Sequence, residues 1–232
     1  MSETADVVVV GGGVVGASAA YHLAAAGAGR ILLLEREDRL ATGSTGACAG
    51  GFRTQFSSEI NIRLSLASVP MITGFTQEHG LPLDVDQHGY LFLVRDEALW
   101  RDFGTANALQ RSLGVDAELL SAEEAVELAP GISTDGIVGA AYGPNDGIAD
   151  PSGLTQGYAT LARRAGAEIE LGVAVTAIRH DGERVTGVET GDGSIDAPVV
   201  VNAAGPWAGV LAATAGVELP LEPIPRHVLV TG

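Results

Sequence analysis

The stretch Asp6 to Gly16, DVVVVGGGVVG, constrains the fold more than any other part of the chain. Val7 to Val10 make an apolar, β-branched run of strand length, suited to a parallel strand buried on both faces. Gly11, Gly13 and Gly16 follow in G-x-G-x-x-G spacing. In that pattern the first glycine permits a tight turn, the second lets backbone approach a pyrophosphate, and the third lets the next helix pack on the strand. A phosphate would meet the positive end of that helix. With 32 glycines in 232 residues the spacing can arise by chance, so its surroundings decide its meaning. A helix from Val14 to Ala26 ending at Gly27, an apolar strand from Ile31 to Leu34, and Glu35 placed 19 positions after Gly16 give the order expected where an acid meets a ribose hydroxyl. The plainer alternative is a structural β-turn-α unit.

Composition narrows the function classes. A chain of 232 residues suits one large domain or two small ones and can bury roughly 70% of its unfolded surface. Its apolar runs are far shorter than the roughly 20 residues that span a bilayer, and no basic region precedes the valines, so a cytoplasmic location is expected. Cys48 is the single cysteine, which excludes an internal disulfide. The 29 acidic residues against 13 basic ones give a net charge of −16, which opposes nucleic acid and anionic lipid as partners. Every basic residue is arginine, so lysine Schiff-base and P-loop chemistry are excluded within the chain.

Beyond the second strand, Leu40 to Gly51 reads as a loop too rich in Gly, Ala, Ser and Thr for a helix or core strand. A long helical pattern from Glu59 to Glu78 follows, with Pro70 expected to kink or divide it. GYLFLV within Asp84 to Arg95 reads as a strand, Glu97 to Leu113 as a helix, and Ser121 with Glu124 as a capping box. Ile137 to Tyr142 suits a strand, Gly143 to Asp150 a turn-rich loop, and Pro151 to about Ala165 a helix. Glu168 to Leu171, Val173 to His180 and Arg184 to Thr190 read as a compact β series with a hairpin at Asp181-Gly182. Pro198 to Val201 returns to the buried-strand type, a small helix runs to Ala215, and Pro225 to Val230 is expected to be a last strand. This order predicts an α/β protein of two interleaved domains: a nucleotide-binding domain from residues 1–80 and 150–218, and a strand-rich domain from 81–149 and 219–232.

Arg36, the run GSTGACAGGFRTQFSSEINIRLS, the loop GPNDGIADP and the segment VVNAAGPWAGVLA extend the pattern across nearly the whole chain. With them the sequence resembles the FAD-dependent D-amino acid oxidase superfamily, in its sarcosine oxidase, dimethylglycine dehydrogenase and glycine oxidase branch. The resemblance implies a Rossmann-like FAD-binding domain interleaved with a mainly antiparallel β-sheet substrate domain. It implies non-covalent FAD, because Ala47 stands where related dehydrogenases carry a flavin-linked histidine. The pyrophosphate would lie over Gly11, Gly13, Val14, Val15 and Gly16, and the adenosine ribose on Glu35 with Arg36 nearby. Ser44 and Thr45 would run along the diphosphate and ribityl chain, and Val175 would meet the adenine by its backbone. Ala203, Ala204, Gly205 and Trp207 would form a crossing close to the cofactor, with core packing an equal reading for the Trp207 ring. Gly50 and Gly51 stand over the flavin where some sarcosine oxidases carry a basic residue.

The same resemblance assigns Arg53 to the substrate carboxylate and Phe56 to the pocket wall, against the alternative of a surface arginine or one paired with Glu59. Gln55 and His88 are lesser pocket candidates. The implied reaction removes a hydride equivalent from the carbon beside an amine nitrogen of a secondary or N-methylated amino acid, with oxygen or another acceptor downstream. An imine results, and no metal is required. Complete members continue past the last expected strand, so the substrate domain is expected to be incomplete. The chain would then be a fragment, a split-gene product or a degenerate relative completed by a second chain, and is expected to turn over little alone. A non-catalytic nucleotide-binding subunit and an NAD-dependent dehydrogenase are the competing readings. The second leaves GSTGACAGG and NAAGPW unexplained.

Overall fold

A computed structural model describes residues 3–225 and 227–229. Its contacts divide the chain into two units, one of residues 1–49 and 151–232 and one of residues 50–150.

The first unit is built on a parallel sheet in the order Glu168–Leu171, Ile31–Glu35, Val7–Val10, Val199–Asn202. Val7 to Val10 lie in register with Ile31 to Leu34 on one side and Val199 to Asn202 on the other. A strand enclosed in this way must be apolar on both faces, and Val8, Val9, Leu32 and Leu33 are fully buried. Alternation divides the work between the faces. Val7, Val9, Ile31 and Leu33 pack with Ala20, Ala159 and Ala162, which belong to the helices Val14–Ala25 and Pro151–Arg164. Small alanines at those positions leave little side-chain bulk between helix and sheet. On the opposite face, Val8, Val10, Leu32 and Leu34 pack with Ile178, Val188 and Ile195 of a second sheet.

That second sheet runs Glu3–Thr4, Gly193–Asp196, Val185–Thr190, Val175–His180. The expected hairpin forms between Val175–His180 and Val185–Thr190. Glu168–Leu171, expected beside that hairpin, joins Ile31–Glu35 in parallel instead. Ile169 packs against the core of that parallel sheet, and the Arg30 guanidinium adds paired bonds of 2.8 and 3.0 Å to the Glu168 carboxylate at the start of the two strands. Of the expected last strand, residues 225 and 227–229 have no regular secondary structure, and 226 and 230 lie outside the described residues.

The second unit holds two antiparallel sheets. One runs Gly51–Phe52, Gly147–Ala149, Val85–Asp86, and the other Tyr90–Val94, Gly139–Gly143, Glu118–Leu120. Gly147–Ala149 falls where a loop was expected; it becomes a strand because it has a partner on each edge. The helix Glu59–Thr73 continues through Pro70 and stops at Gly74, after which Phe75–His79 forms a separate short helix. Ile62 is fully buried and packs with Val115 and Ala117, against Phe56, Leu66, Leu109 and Leu113. That cluster packs residues 56–66 within the second unit, which begins at residue 50, whereas the order of elements predicts a boundary near 80. Ser121 and Glu124 form the expected reciprocal capping box.

Candidate functional site

At the end of Val7–Val10 the chain turns through Gly11, whose φ of 111° lies in the left-handed region that favours glycine. A Cβ there would collide with the Ala203 carbonyl. At Gly16 a Cβ would run into the Gly11 carbonyl, so this glycine lets the helix Val14–Ala25 start directly against the turn. Gly13 is the helix N-cap and gives it no side-chain cap. The Thr45 hydroxyl instead accepts from the Val14 amide at 3.2 Å. Glu35, at the end of the neighbouring strand, accepts from the Gly12 amide at 2.6 Å and the Glu37 amide at 3.0 Å. The carboxylate therefore holds the glycine turn as well as facing the cleft.

On the other flank Asn202 ends its strand. Its amide nitrogen donates to the Ala208 carbonyl at 2.8 Å and its oxygen accepts from the Ala204 amide at 3.3 Å. These bonds shape the crossing Ala203-Ala204-Gly205-Pro206-Trp207, where a short 3-10 turn, Gly205–Trp207, leads into the helix Ala208–Ala213. Trp207 is 46% exposed, which rules out core packing for its ring. It lies under the Arg36 guanidinium instead, while the Arg36 Nε bonds Glu37 at 2.9 Å.

A cleft of about 630 Å³ runs through these elements. Gly11, Gly13, Val15, Glu35, Arg36, Ser44, Thr45, Val175, Ala203, Ala204, Gly205 and Trp207 all line it. Val14 and Gly16 do not line it but shape its floor, as the turn geometry requires. The additional lining residues Asp38, Arg39 and Val173 carry no sequence signal, because they come from loop positions fixed only by the fold. A helix start whose N-cap residue is a glycine without a side chain, a glycine turn with no room for side chains and a cleft within the size range of cofactor sites fit a dinucleotide.

Gly50, Gly51, Arg53 and Phe56 belong to the second unit. The Arg53 guanidinium carbon lies 4.9 Å from the Phe56 ring centre, 5.3 Å from Phe92 and 5.6 Å from Tyr90. Its Nε is buried without a hydrogen-bond partner, and it forms no ion pair among the described residues. Glu59, the alternative partner, bonds Arg63 one helical turn away at 2.7 Å. Gln55 is buried and donates to the Tyr90 carbonyl at 2.9 Å. His88 is 87% exposed in its side chain and pairs with Asp86 at 2.6 Å, which argues for a surface role. Cys48 is exposed and bonds the Thr45 carbonyl. Among the described residues no His, Cys, Asp and Glu group is arranged to hold a metal, and no helix is long and apolar enough to cross a membrane.

Residues 6–232 match the family described as DAO, FAD dependent oxidoreductase. Mitochondrial sarcosine dehydrogenase of Mus musculus is 35% identical over 237 residues, covering 100% of this chain and 26% of that protein. The 4-methylaminobutanoate oxidase (formaldehyde-forming) of Paenarthrobacter nicotinovorans is 35% identical over 92% of this chain and 26% of its own length. The chain thus spans about a quarter of the length of each of these two relatives. Among solved structures, L-proline dehydrogenase from P. horikoshii superposes with a TM-score of 0.82 at 33% identity, covering 94% of this chain and 57% of that one.

Proposed function

The chain belongs to the DAO family of FAD dependent oxidoreductases, and from that premise we propose that it binds FAD in the cleft of its first unit and serves the oxidation of a secondary or N-methylated amino acid. One observation carries the reading: a single cleft gathers the glycine turn, Glu35, Arg36, Ser44, Thr45, Val175 and the Ala203 to Trp207 crossing from separate parts of the sequence. In this assignment the Val14–Ala25 helix start holds the pyrophosphate, Glu35 a ribose hydroxyl, and Ser44 and Thr45 donate to phosphate oxygens. FAD supplies the acceptor for the hydride equivalent taken from the carbon beside nitrogen. Ala47 supports non-covalent attachment.

Arg53 holds the substrate carboxylate. A planar guanidinium offers two parallel charge-assisted hydrogen bonds to such a group, and here it is framed by aromatic rings rather than neutralised by an acid. Phe56 forms the wall beside it. The single cysteine supports a reducing compartment such as the cytoplasm. The match to about a quarter of the sarcosine dehydrogenase and of the 4-methylaminobutanoate oxidase supports a second reading, in which these residues are an FAD-binding part that needs further chain, its own or a partner's, for turnover.

The test is equilibrium binding with the full 232-residue chain. FAD is titrated by flavin absorbance, then N-methylglycine is titrated into the loaded protein. The expected result is saturable FAD binding that Arg53→Met leaves intact, with N-methylglycine binding lost in that variant. No FAD binding at millimolar cofactor overturns the cofactor assignment, and equal N-methylglycine affinity in Arg53→Met overturns the substrate assignment.

A further inference from the structure

Asp146 is fully buried, yet it has no cation as partner among the described residues. Its side chain is occupied in another way. Oδ1 accepts from the Thr54 amide and the Thr54 hydroxyl, both at 2.8 Å, and Oδ2 accepts from the Gln55 side-chain amide at 3.1 Å. The backbone of Asp146 is tied as well: its carbonyl accepts from the Gly89 amide at 3.0 Å and its amide donates to the Gly143 carbonyl at 3.2 Å. Gly143 is what makes room, since a Cβ there would meet both Asp146 and Gln55.

These bonds converge on one neighbour. Thr54 and Gln55 follow Arg53 directly, so the carboxylate fixes the backbone from which the guanidinium projects. Gln55 passes the restraint on, because the nitrogen that bonds Asp146 also donates to the Tyr90 carbonyl at 2.9 Å. Tyr90 opens the strand Tyr90–Val94, and that strand supplies Tyr90 and Phe92, two of the three rings around Arg53. One buried carboxylate therefore restrains both the cation and most of its aromatic frame. A carboxylate with three donors is costly to replace, because a substitute with fewer acceptor sites forces buried donors to share or lose their partners.

We propose that Asp146 is the positioning residue for Arg53, holding the guanidinium and its ring frame in the orientation that accepts a carboxylate ligand. It acts through Thr54 and Gln55 and touches no ligand itself. The carboxylate part of the proposal rests on the substrate reading of Arg53; the positioning part rests on the hydrogen bonds alone.

The experiment follows the Arg53 Nε–H signal by proton-nitrogen NMR in the FAD-loaded full chain, with Arg53→Lys identifying the signal. Asp146→Asn keeps the shape but turns an N–H₂ group toward donors. The expected result is a folded protein with unchanged FAD affinity, a displaced or broadened Arg53 signal before any ligand is added, and N-methylglycine affinity lower by about tenfold or more. Should Asp146→Asn fail to fold, Thr54→Val removes a single donor and is expected to move the same signal by a smaller amount. An Arg53 signal and an N-methylglycine affinity identical to wild type in the folded variant overturn the proposal. If N-methylglycine leaves the wild-type Arg53 signal unmoved, the substrate reading fails by itself, and the ligand-free signal of Asp146→Asn still judges the positioning role.

Discussion

The Arg36 guanidinium carbon lies 3.8 Å from the centre of the Trp207 ring. Arg36 follows the strand Ile31–Glu35 and Trp207 follows Val199–Asn202, the two strands that flank Val7–Val10. The stack therefore bridges the carboxyl end of the central strand, beside the glycine turn. An arginine to tryptophan contact at a partly exposed site contributes about 0.5–1 kcal/mol. Arg36→Ala is expected to shift Trp207 emission and to weaken FAD binding by about two- to fivefold. Fluorescence titration in a Trp100→Phe background checks this, and unchanged emission would show that the stack does not persist in solution.

Gly16→Ala places a methyl group against the Gly11 carbonyl, so helix and turn must separate. The expected loss is about 1–3 kcal/mol of unfolding free energy, as for an overpacked core. FAD binding should fall further than stability does, because the turn itself is displaced. Urea unfolding and cofactor titration on the same variant separate the two effects. Equal FAD affinity in a folded Gly16→Ala protein would refute the role of the turn.

Ile62→Ala tests the assignment of residues 50–80. Removing a fully buried isoleucine packed on Val115 and Ala117 is expected to cost about 2–5 kcal/mol. Amide exchange should accelerate across residues 50–150 and change little in the parallel sheet of the first unit. Uniform acceleration throughout both units would contradict the division.

Glu168 has its pKa held below the ordinary carboxylate value by its hydrogen bond to Arg30, a shift that partial burial opposes. A depressed folded value means the pair stabilises fully above the unfolded glutamate pKa of about 4.3 and loses that contribution as pH falls through the folded value. Both side chains are partly exposed, so the effect is small, under about 1 kcal/mol at neutral pH. Glu168→Gln should therefore narrow the stability gap between pH 7 and acid, measured by urea midpoints at each pH. A wild-type protein whose midpoint difference matches the variant's would remove the pair from the acid response.

What could be read from residues alone followed the range of the interactions involved. Val7 to Val10, the glycine turn and the Ser121 to Glu124 box are local devices, and each forms where its pattern indicates. The partner of Glu168–Leu171 is not legible in the sequence, because a four-residue strand that alternates Glu with Ile and Leu suits either sheet, and its place is set by the packing of Ile169 and by pairing with residues some 136 positions away. Gly147–Ala149 looked like a loop for the same reason: glycine-rich and short, it becomes a strand through two distant partners. In the candidate site, Gly11 and Glu35 follow from the spacing of the glycine motif, whereas Ser44 and Trp207 come only from the family resemblance; all four line the cleft. Asp146 carries no signal of its role within GPNDGIADP, since its three donors arrive from residues some 90 positions earlier in the chain.

The second unit begins and ends at one spot. Gly51 stands opposite Ile148, and the Ala149 amide donates to the Gly50 carbonyl at 3.0 Å, so the chain departs and comes home through adjacent hydrogen-bonded residues. Such a stitched neck closes residues 50–150 as a detour with hydrogen bonds of its own. Lengthening or trimming the detour alters closure entropy only logarithmically, by about 0.6 kcal/mol per doubling. Changes of length beyond the neck are accordingly expected to leave its closure nearly intact.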